Sequence, residues 1–316
     1  LSLFPATPRP TRPTINDFIV SFHHPSAPYG LGLALLALYT SASLSLPPLS
    51  ATPDADSLTL ALRSPSTGSP TMIFGPSALI SQPLYKVILG NMLGDSAFMV
   101  RNARDGKLRL LREGIVSQTT WWDKLIFTSL RKEVGLAKLR TVVLEGPTDQ
   151  NRIEFFRIVF GTPVLATLAH AFLLGPLSAG LLYDFQRLPP PGVSEKDFSS
   201  GAKAHSGPPV AGVEVKLRGQ EKDIVAGRVR GEVRSLLLLA RYTAATLTNA
   251  LLQVLVRTPV LPPADSLPSA LLLKDDDLPH LPPYPGRAVD LEGCGTRWLR
   301  TGVQAEMGKE GVLWLI

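Results

Sequence analysis

The first half of the chain alternates short apolar runs with longer segments of helical periodicity. The apolar runs are bounded by Gly, Pro, Asn or Asp, a pattern typical of buried strands. A strand, a helix and another strand with a glycine at each break form a βαβ unit, so the series predicts a parallel sheet covered by helices. The predicted strands are Asn16–His24, Ser43–Leu49, Pro70–Gly75, Leu139–Gly146 and Thr162–Ala169.

The segments between these strands predict helices with recognisable ends. Gly30–Thr40 is apolar on every side and predicts a buried helix, whereas Asp56–Ser64 begins with a capping Asp. A further helix follows Pro76, since proline suits a first helical turn. Asp149–Gly161 is opened by Asp and closed by Gly. Thr119–Gly135 is amphipathic, and its buried face is predicted to be Trp122, Leu125, Ile126 and Leu130.

The second half of the chain has a different pattern. Residues 186–211 are rich in Pro, Gly and Ser and predict a loop. Alternating apolar and polar residues in Gly212–Arg218 and Gly227–Arg234 predict antiparallel strands, and Trp298–Ile316 has the pattern of a small β-meander.

The fold class that follows is α/β, with a small antiparallel β part near the C-terminus. Residues 1–185 form the α/β part and residues 212–316 the β-rich part. We expect an irregular insertion at about 258–293, because this stretch carries many prolines and the run KDDD. A gene-model artefact over residues 235–293 is the alternative to a real insertion.

Three stretches of the chain lack Asp, Glu, Lys and Arg, namely Phe18–Pro53, Ile158–Tyr183 and Tyr242–Val256. The first two are long enough to span a bilayer. Proline and glycine interrupt both, which favours buried strands and turns over a lipid-exposed helix. A membrane-embedded element is the alternative.

The positive charge of the chain is concentrated in one region. The net charge is +6, and the excess of basic residues falls in Arg101–Arg140. Acidic residues interleave there without an aromatic platform, which speaks against nucleic acid as a partner. The pattern favours a solvated helical surface, and a face for anionic membrane lipids is the alternative.

Cysteine and histidine usage excludes two kinds of site. Cys294 is the single cysteine, so the chain has no internal disulfide and no multi-thiolate metal site. Among five histidines only His23 and His24 are adjacent, and neighbours in a strand point to opposite faces. We therefore expect no metal site.

The order of several segments along the chain resembles the central and late part of adenylate-forming (AMP-binding) enzymes, most closely long-chain fatty-acyl-CoA synthetases. The resemblance implies that the chain begins after the phosphate loop of that family and stops before its small C-terminal domain. The segments that carry it are APYGLGLALLALYTSASLSLPP, PTMIFGPSALI, WWDKLIFTSLRKEVGLAKLR, LRTVVLEGPTDQNRIEFFRIVFGTPVL, SGPPVAGVEVKL with RGEV, and WLRTGVQAEMGKEGVLWLI.

The resemblance implies a reaction in which a carboxylate attacks ATP, and a thiol then attacks the acyl-adenylate. Such chemistry needs Mg²⁺ and hydrogen-bond donors at the phosphates, and a carboxylate at the ribose hydroxyls. ATP and Mg²⁺ are the implied cofactors if the chain is active. The implied nucleotide positions are Gly146, Leu168, Phe172, Thr301, Gly302 and Val303.

Several of these positions have lost the side chain that the family uses. The ribose-binding Asp of the family falls on Val303, and the metal-binding Glu falls on Phe172. An aromatic position becomes Leu168, while Glu145 stands beside the retained Gly146 where a small residue is expected. We therefore predict no catalytic residue, no metal site and a nucleotide-binding-deficient domain.

Two alternatives to this prediction stay open. One is a divergent but active long-chain fatty acid–CoA ligase that uses His170, Glu145 or Asp184 as substitute ligands. The other is a membrane or scaffolding protein unrelated to ligases.

The resemblance also implies partners and a location. Tyr29, Gly30, Phe74 and Gly75 match elements that flank the acyl tunnel of the family, so a fatty acid or acyl chain is the expected ligand. Plain core packing is the alternative for these residues. A membrane surface is a further expected partner, at the cytosolic face of the endoplasmic reticulum, peroxisome or lipid droplet.

Overall fold

The computed structural model describes the parts of the chain that determine the fold. The described residues are 12–47, 54–63, 68–92, 97–169, 173–182, 202–211, 213–218, 230–237, 254–257, 272–274, 297–300, 303–308 and 311–315.

A parallel sheet forms the centre of the first half and confirms the predicted α/β class. Its strands follow the order β2–β1–β3–β4–β5–β6, in which only the β6 edge strand is antiparallel. The strands are β1 (Phe18–Ser21), β2 (Ser43–Ser45), β3 (Met72–Pro76), β4 (Thr141–Glu145), β5 (Val164–Leu168) and β6 (Ser178–Ala179).

Apolar cores lie on both faces of this sheet. Ile19 and Val20 are neighbours in β1 but belong to different cores, and so are Met72 and Ile73 in β3. This separation follows from the two-residue period of a strand. Helices cover both faces, as a parallel sheet requires. Their bounds are α1 (Pro28–Thr40), α2 (Ala55–Leu62), α3 (Ser77–Met92), α4 (Ala97–Arg112), α5 (Thr128–Glu133) and α6 (Gln150–Phe160), with a π-helical segment at Asp123–Phe127.

The helix ends agree with the predicted capping residues, with one shift. The side chain of Asp54 accepts a hydrogen bond from the Ser57 N–H at 2.8 Å, so the cap of α2 lies two residues before the predicted Asp56. Gly161 ends α6 in the left-handed conformation, with φ of 61°. A Cβ at this glycine would lie 2.3 Å from the Ser117 carbonyl oxygen, so no larger residue fits without movement.

The prediction that α1 is buried on every side is wrong. Tyr29, Leu33 and Ala37, spaced by four residues, form its buried stripe. Leu35 and Leu38 are 50% and 76% exposed. A helix without polar residues has no periodicity to reveal which side faces the sheet. No helix in the described part of the chain is both long enough and apolar enough to cross a membrane.

The predicted face of the amphipathic helix is correct except at Leu125. Ile126 and Leu130 are buried and Trp122 packs against the larger core. Leu125 is 49% exposed. The helix adopts π-helical geometry at Asp123–Phe127, which has more residues per turn than an α-helix. Residues four apart, namely Trp122, Ile126 and Leu130, therefore share the buried side, and Leu125 faces solvent.

A buried ion cluster joins the helices that cover the larger core. Lys107 Nζ of α4 and Arg131 Nη1 of α5 each lie 2.8 Å from Oδ1 of Asp123. The Thr120 hydroxyl donates to Asp123 Oδ2 at 2.5 Å. Arg131 also donates to the carbonyls of Val159 and Phe160 at the end of α6. The cluster therefore connects α4, the π-helical segment, α5 and α6.

The charges in this cluster depend on one another. Burial would raise the pKa of Asp123, but hydrogen bonds from Lys107 and Thr120 outweigh burial and hold that pKa below its usual value. Burial lowers the pKa of Lys107, and Asp123 offsets only part of this effect. Two buried cations thus share one buried carboxylate.

A second, antiparallel sheet follows, in the order β10–β11–β9–β7–β8–β12–β13. The predicted pair of antiparallel strands is confirmed as β7 and β8. The strands are β7 (Glu214–Arg218), β8 (Arg230–Leu237), β9 (Val254–Arg257), β10 (Leu272–Lys274), β11 (Arg297–Arg300), β12 (Gln304–Met307) and β13 (Leu313–Leu315).

One local prediction for this sheet is corrected. Of the three strands in Trp298–Ile316, β12 and β13 pair with each other, whereas β11 pairs with β8, β9 and β10. The pattern of Trp298–Ile316 therefore identified strands but not the pairing of its first one. Strand β10 lies within residues 258–293, and the rest of the irregular insertion predicted there lies outside the described residues.

An extended segment at residues 202–210 connects the two sheets. The Ala204 N–H donates to the Thr148 carbonyl before α6, and the Ser206 N–H donates to the Leu313 carbonyl of β13. Gly207 is required between them, because its φ is +81° and a Cβ would lie 2.0 Å from the Ala179 carbonyl oxygen.

We predict that Asp123→Asn lowers the free energy of unfolding by about 3–5 kcal/mol, because it leaves Lys107 and Arg131 as unpaired buried cations. Urea unfolding followed by circular dichroism measures this change. The control is Asp105→Asn, which breaks a half-exposed pair with Arg104 and should cost less than about 1 kcal/mol. Equal losses in the two variants would contradict the role of the cluster.

Candidate functional site at the carboxyl edge of the parallel sheet

Buried ionisable side chains lie close together at the carboxyl edge of the parallel sheet. Strand β2 lies on one side of β1, whereas β3, β4 and β5 extend on the other side. Ligands of open α/β sheets bind outside the carboxyl ends of the strands where the strand order reverses. Here the order reverses at β1 and β3, so the residues that follow these strands are the first candidates.

Three ionisable side chains meet at this edge. His23 follows β1 and Glu145 ends β4, and Nδ1 of His23 lies 3.3 Å from Oε2 of Glu145 across the end of β3. The His23 ring packs edge-on against the Tyr29 ring of α1, with centroids 4.7 Å apart. The side chains of His23 and Glu145 are 8% and 23% exposed, and Tyr29 is buried.

Burial shifts all three groups toward their neutral forms. It raises the pKa of Glu145 from its ordinary value of 4.5 to about 7 and lowers the pKa of His23 from 6.5 to about 4. Burial, followed by the charge of Glu145, raises the pKa of Tyr29. Both groups are therefore mainly neutral between about pH 4 and pH 7, where their contact is not an ion pair.

This arrangement presents hydrogen-bonding capacity that the protein does not use. A protonated Glu145 donates to Nδ1 of His23, which leaves the imidazole proton on Nε2. Within the described residues, Nε2 of His23 and the hydroxyl of Tyr29 are buried without a hydrogen-bond partner. Two buried donors without acceptors are what a carbonyl or carboxyl oxygen of a bound molecule satisfies.

The loop between β4 and α6 borders open space beside these groups. Gly146 has φ of +88°, and its N–H donates to the Thr167 carbonyl at 2.8 Å. No atom lies within 4 Å of a Cβ built on this glycine. The hydroxyl of Thr148 donates to that of Ser77, which fixes the loop against the start of α3. A ligand could therefore approach the backbone at Gly146.

The residues assigned to an acyl pocket pack tightly together. Tyr29 and Phe74 belong to the apolar core on the α1 side of the sheet. A Cβ at Gly30 would lie 2.2 Å from the His24 carbonyl oxygen, and a Cβ at Gly75 would lie 2.3 Å from a methyl of Ile80. Both glycines are needed for close packing, so their conformation alone does not indicate a tunnel.

The structure describes three of the six residues assigned to the nucleotide. Gly146 and Leu168 lie at the carboxyl edge, at the ends of β4 and β5, and Leu168 is 2% exposed. Val303 is partly buried and precedes β12 in the antiparallel sheet. Three further assigned positions lie outside the described residues, namely Phe172, Thr301 and Gly302. Two of the three substitute ligands also lie outside them, namely His170 and Asp184.

The residues that are described do not fit a nucleotide with its metal. Leu168 and Val303 carry hydrocarbon side chains, which offer no hydrogen bond to a ribose or a base. Glu145 would place a carboxylate near the phosphates or become neutral to avoid that repulsion. The described part of the chain contains no group of three His, Cys, Asp or Glu side chains that could hold a metal ion.

A cleft of about 380 Å³ at the opposite, amino-terminal edge is a weaker candidate. Arg140 lines this cleft, and its guanidinium contacts both carboxylate oxygens of Asp17 at 2.5 and 2.6 Å. The remaining lining residues are uncharged, including Thr162 and Gln118. The cleft thus lacks the cluster of titratable groups found at the carboxyl edge.

Sequence patterns missed the grouping of His23, Tyr29 and Glu145. The sequence considered His23 as a metal ligand, Tyr29 as part of an acyl pocket, and Glu145 as a substitution or a substitute ligand, but it did not group the three. The sequence contained one signal for this grouping. His23 and Glu145 both lie near the carboxyl ends of predicted parallel strands, and those ends share one edge of the sheet.

The fold is similar to that of the large domain of adenylate-forming enzymes. The nonribosomal peptide synthetase FmoA3, solved with AMPPNP bound, has a TM-score of 0.51 at 12% identity. The match covers 96% of this chain and 23% of FmoA3. No protein-family model and no curated protein matches the chain.

Two CoA ligases also match over 96% of this chain with TM-scores of 0.46. A benzoate CoA ligase from Burkholderia xenovorans is 16% identical, and the match covers 42% of it. The anthranilate CoA ligase AuaEII, in complex with anthranoyl-AMP, is 13% identical, and the match covers 39% of it. The chain spans less than half the length of these proteins.

We predict that Glu145→Gln changes the pH dependence of folding. Between pH 4.5 and 7 native Glu145 keeps a proton that the unfolded chain releases, so this group makes the free energy of unfolding fall as pH rises. His23 has the opposite effect between pH 4 and 6.5 and partly masks it. From pH 4.5 to pH 7, the free energy of unfolding of the variant should therefore rise relative to that of the unsubstituted protein, by up to about 3 kcal/mol.

Urea unfolding at a series of pH values measures this difference. Glu113→Gln, at the exposed end of α4, controls for the loss of one negative charge. A stability difference between Glu145→Gln and the unsubstituted protein that stays constant from pH 4.5 to 7 would contradict the burial of Glu145 in a neutral form.

Proposed function

We propose that this chain is an AMP-dependent ligase-like domain that no longer binds nucleotide. It instead binds an acyl chain, and a long-chain fatty acid is the first ligand to test. One observation carries the first part of the proposal. The position that the resemblance assigns to an aromatic nucleotide contact is Leu168, whose aliphatic side chain is 2% exposed at the end of β5. A buried aliphatic side chain can neither stack on a base nor donate a hydrogen bond to it.

Electrostatics at the same edge support the loss of nucleotide binding. ATP brings several negative charges, which need cations or backbone N–H donors nearby. The described ionisable groups that meet at the ends of β1 and β4 are instead a carboxyl, an imidazole whose charged form is disfavoured, and a phenol. The edge therefore favours a neutral or weakly charged ligand over a polyanion.

Acyl binding is supported by the two buried donors at His23 and Tyr29. The carboxyl oxygens of a fatty acid would accept from Nε2 of His23 and from the Tyr29 hydroxyl. Below its pKa of about 7, Glu145 adds no negative charge that would repel the acid. The apolar core that contains Tyr29 and Phe74 is closely packed, so an acyl chain would lie against this core rather than within it.

A divergent but active long-chain fatty acid–CoA ligase is the second candidate function. The observation in its favour is that buried groups with shifted pKa values cluster at functional sites. In that case Glu145 is the described residue that would take over part of the lost ligand set. The location at a cytosolic membrane face rests on the resemblance and stays a prediction.

We predict no saturable binding of ATP at millimolar concentration, with or without Mg²⁺, because Leu168 and Val303 cannot hold the base and ribose. Isothermal titration calorimetry on the full-length natural chain measures this. Binding at micromolar ATP would overturn the proposal and favour the active ligase. Release of pyrophosphate with a fatty acid and CoA would then be the next assay.

We predict that a fluorescent long-chain fatty acid binds saturably and that Tyr29→Phe weakens this binding about fivefold to tenfold, as expected for one lost hydrogen bond. The variant should not be less stable, because it removes an unsatisfied buried hydroxyl. Tyr85→Phe is the matched control on α3, where the ring packs against Phe155. Absence of saturable binding, or equal effects of both variants, would refute acyl binding at this edge.

A further inference from the structure

The positive charge of the chain belongs to a single stretch of structure. Residues 97–140 contain ten basic and four acidic residues, which accounts for the whole net charge of +6. Two of the basic residues, Lys107 and Arg131, are buried and form ion pairs with Asp123. The other basic residues are exposed or partly exposed, so an excess of positive charge faces solvent on α4 and the helical segments after it.

Three of the five basic residues of α4 share one face with Phe98, and Asp105, which pairs with Arg104, lies on that face as well. Phe98, Arg101, Arg109 and Arg112 fall within about 80° of one another at about 100° per residue. All four are exposed, and Phe98 is 75% exposed. The opposite side of α4 is fixed by buried Ala103, Lys107 and Leu111. The rotation of α4 is thus determined by its packing, and it directs the arginines outward.

Exposed apolar side chains lie beside these arginines. A Cβ on Gly106 of α4 would lie 2.7 Å from Nε1 of Trp122, so the Trp122 indole rests on the middle of the helix. The Trp121 ring is 4.8 Å from the Trp122 ring and is 64% exposed. Leu125, one turn later, is 49% exposed. Two tryptophans thus lie next to the basic segment, one of them exposed, although the sequence pattern indicated no aromatic platform there.

We propose that these residues form a docking face for anionic phospholipid membranes. The basic–aromatic face is defined as Phe98, Arg101, Arg109, Arg112, Trp121 and Leu125.

Charge complementarity identifies the occupant. Arginines attract the negative surface of an anionic leaflet, whereas exposed Trp, Phe and Leu insert at the headgroup boundary. A solvated surface would need the arginines but not a half-exposed indole and a phenyl ring beside them. A single-stranded nucleic acid would stack bases on aromatic rings in a groove, but Trp121 and Phe98 flank a convex helix. The face thus suits a flat, anionic, amphipathic partner.

The test is sedimentation of the full chain with vesicles. The probes are vesicles of phosphatidylcholine with phosphatidylserine and vesicles of phosphatidylcholine alone. Each basic residue near an anionic surface contributes about fivefold to partitioning, so Arg101→Gln/Arg109→Gln/Arg112→Gln should lower binding to anionic vesicles by about a hundredfold. Trp121→Ala should lower it by about tenfold.

The matched control removes the same number of charges elsewhere. Arg63→Gln/Lys86→Gln/Lys138→Gln changes exposed basic residues of α2, α3 and the turn before β4, and should retain vesicle binding to within about threefold. All these positions are exposed, so thermal unfolding should be unchanged and confirms that each variant folds.

Three outcomes would overturn the proposal. They are the absence of co-sedimentation of the unsubstituted chain with anionic vesicles, equal losses in the two triple variants, and equal binding to neutral and anionic vesicles. Binding to a single-stranded oligonucleotide without vesicle binding would also overturn it, in favour of a nucleic-acid partner.

Discussion

One buried carboxylate determines how the helical layer of this protein is arranged. Asp123 holds Lys107 of α4 and Arg131 of α5, and Arg131 reaches the last carbonyls of α6. Each cation loses its hydration in the core and is paired there with that carboxylate. The π-helical geometry at Asp123–Phe127 accompanies this convergence and turns Leu125 to the surface. The basic–aromatic face is thus a consequence of the cluster, because the cluster fixes which side of α4 points outward.

The carboxyl edge of the parallel sheet combines a retained fold with altered chemistry. The strand order, the turn at Gly146 and the packing of Gly30 and Gly75 preserve the place where open α/β sheets bind ligands. Glu145 then adds a largely buried carboxyl group next to His23, and burial raises the pKa of that carboxyl to about 7. Hydrocarbon at Leu168 closes the neighbouring strand end. A site of this kind favours an uncharged or apolar ligand.

The sequence predicted the parallel strands and most helix ends because each depends on local chemistry. Glycine at 161 and the alternation in β7 and β8 are such signals. The exposed side of α1 could not be predicted, because an apolar helix has no polar face that marks the solvent side. The contact between His23 and Glu145 was equally hidden, since 122 residues separate them and only the register of β1, β3 and β4 brings them together. The pairing of β11 depended in the same way on long-range partners.

The two exposed apolar surfaces of the protein differ in what they can recognise. Leu35 and Leu38 of α1 lie on the side of the sheet that carries the smaller core, whereas α4 packs on the opposite side. The chain from Phe18 to Pro53 contains no charged residue, so the α1 surface offers apolar area without an electrostatic preference. The basic–aromatic face, by contrast, combines exposed apolar side chains with an excess of positive charge. Discrimination between an anionic membrane and any other apolar partner therefore requires α4, because dispersion and burial alone do not distinguish them.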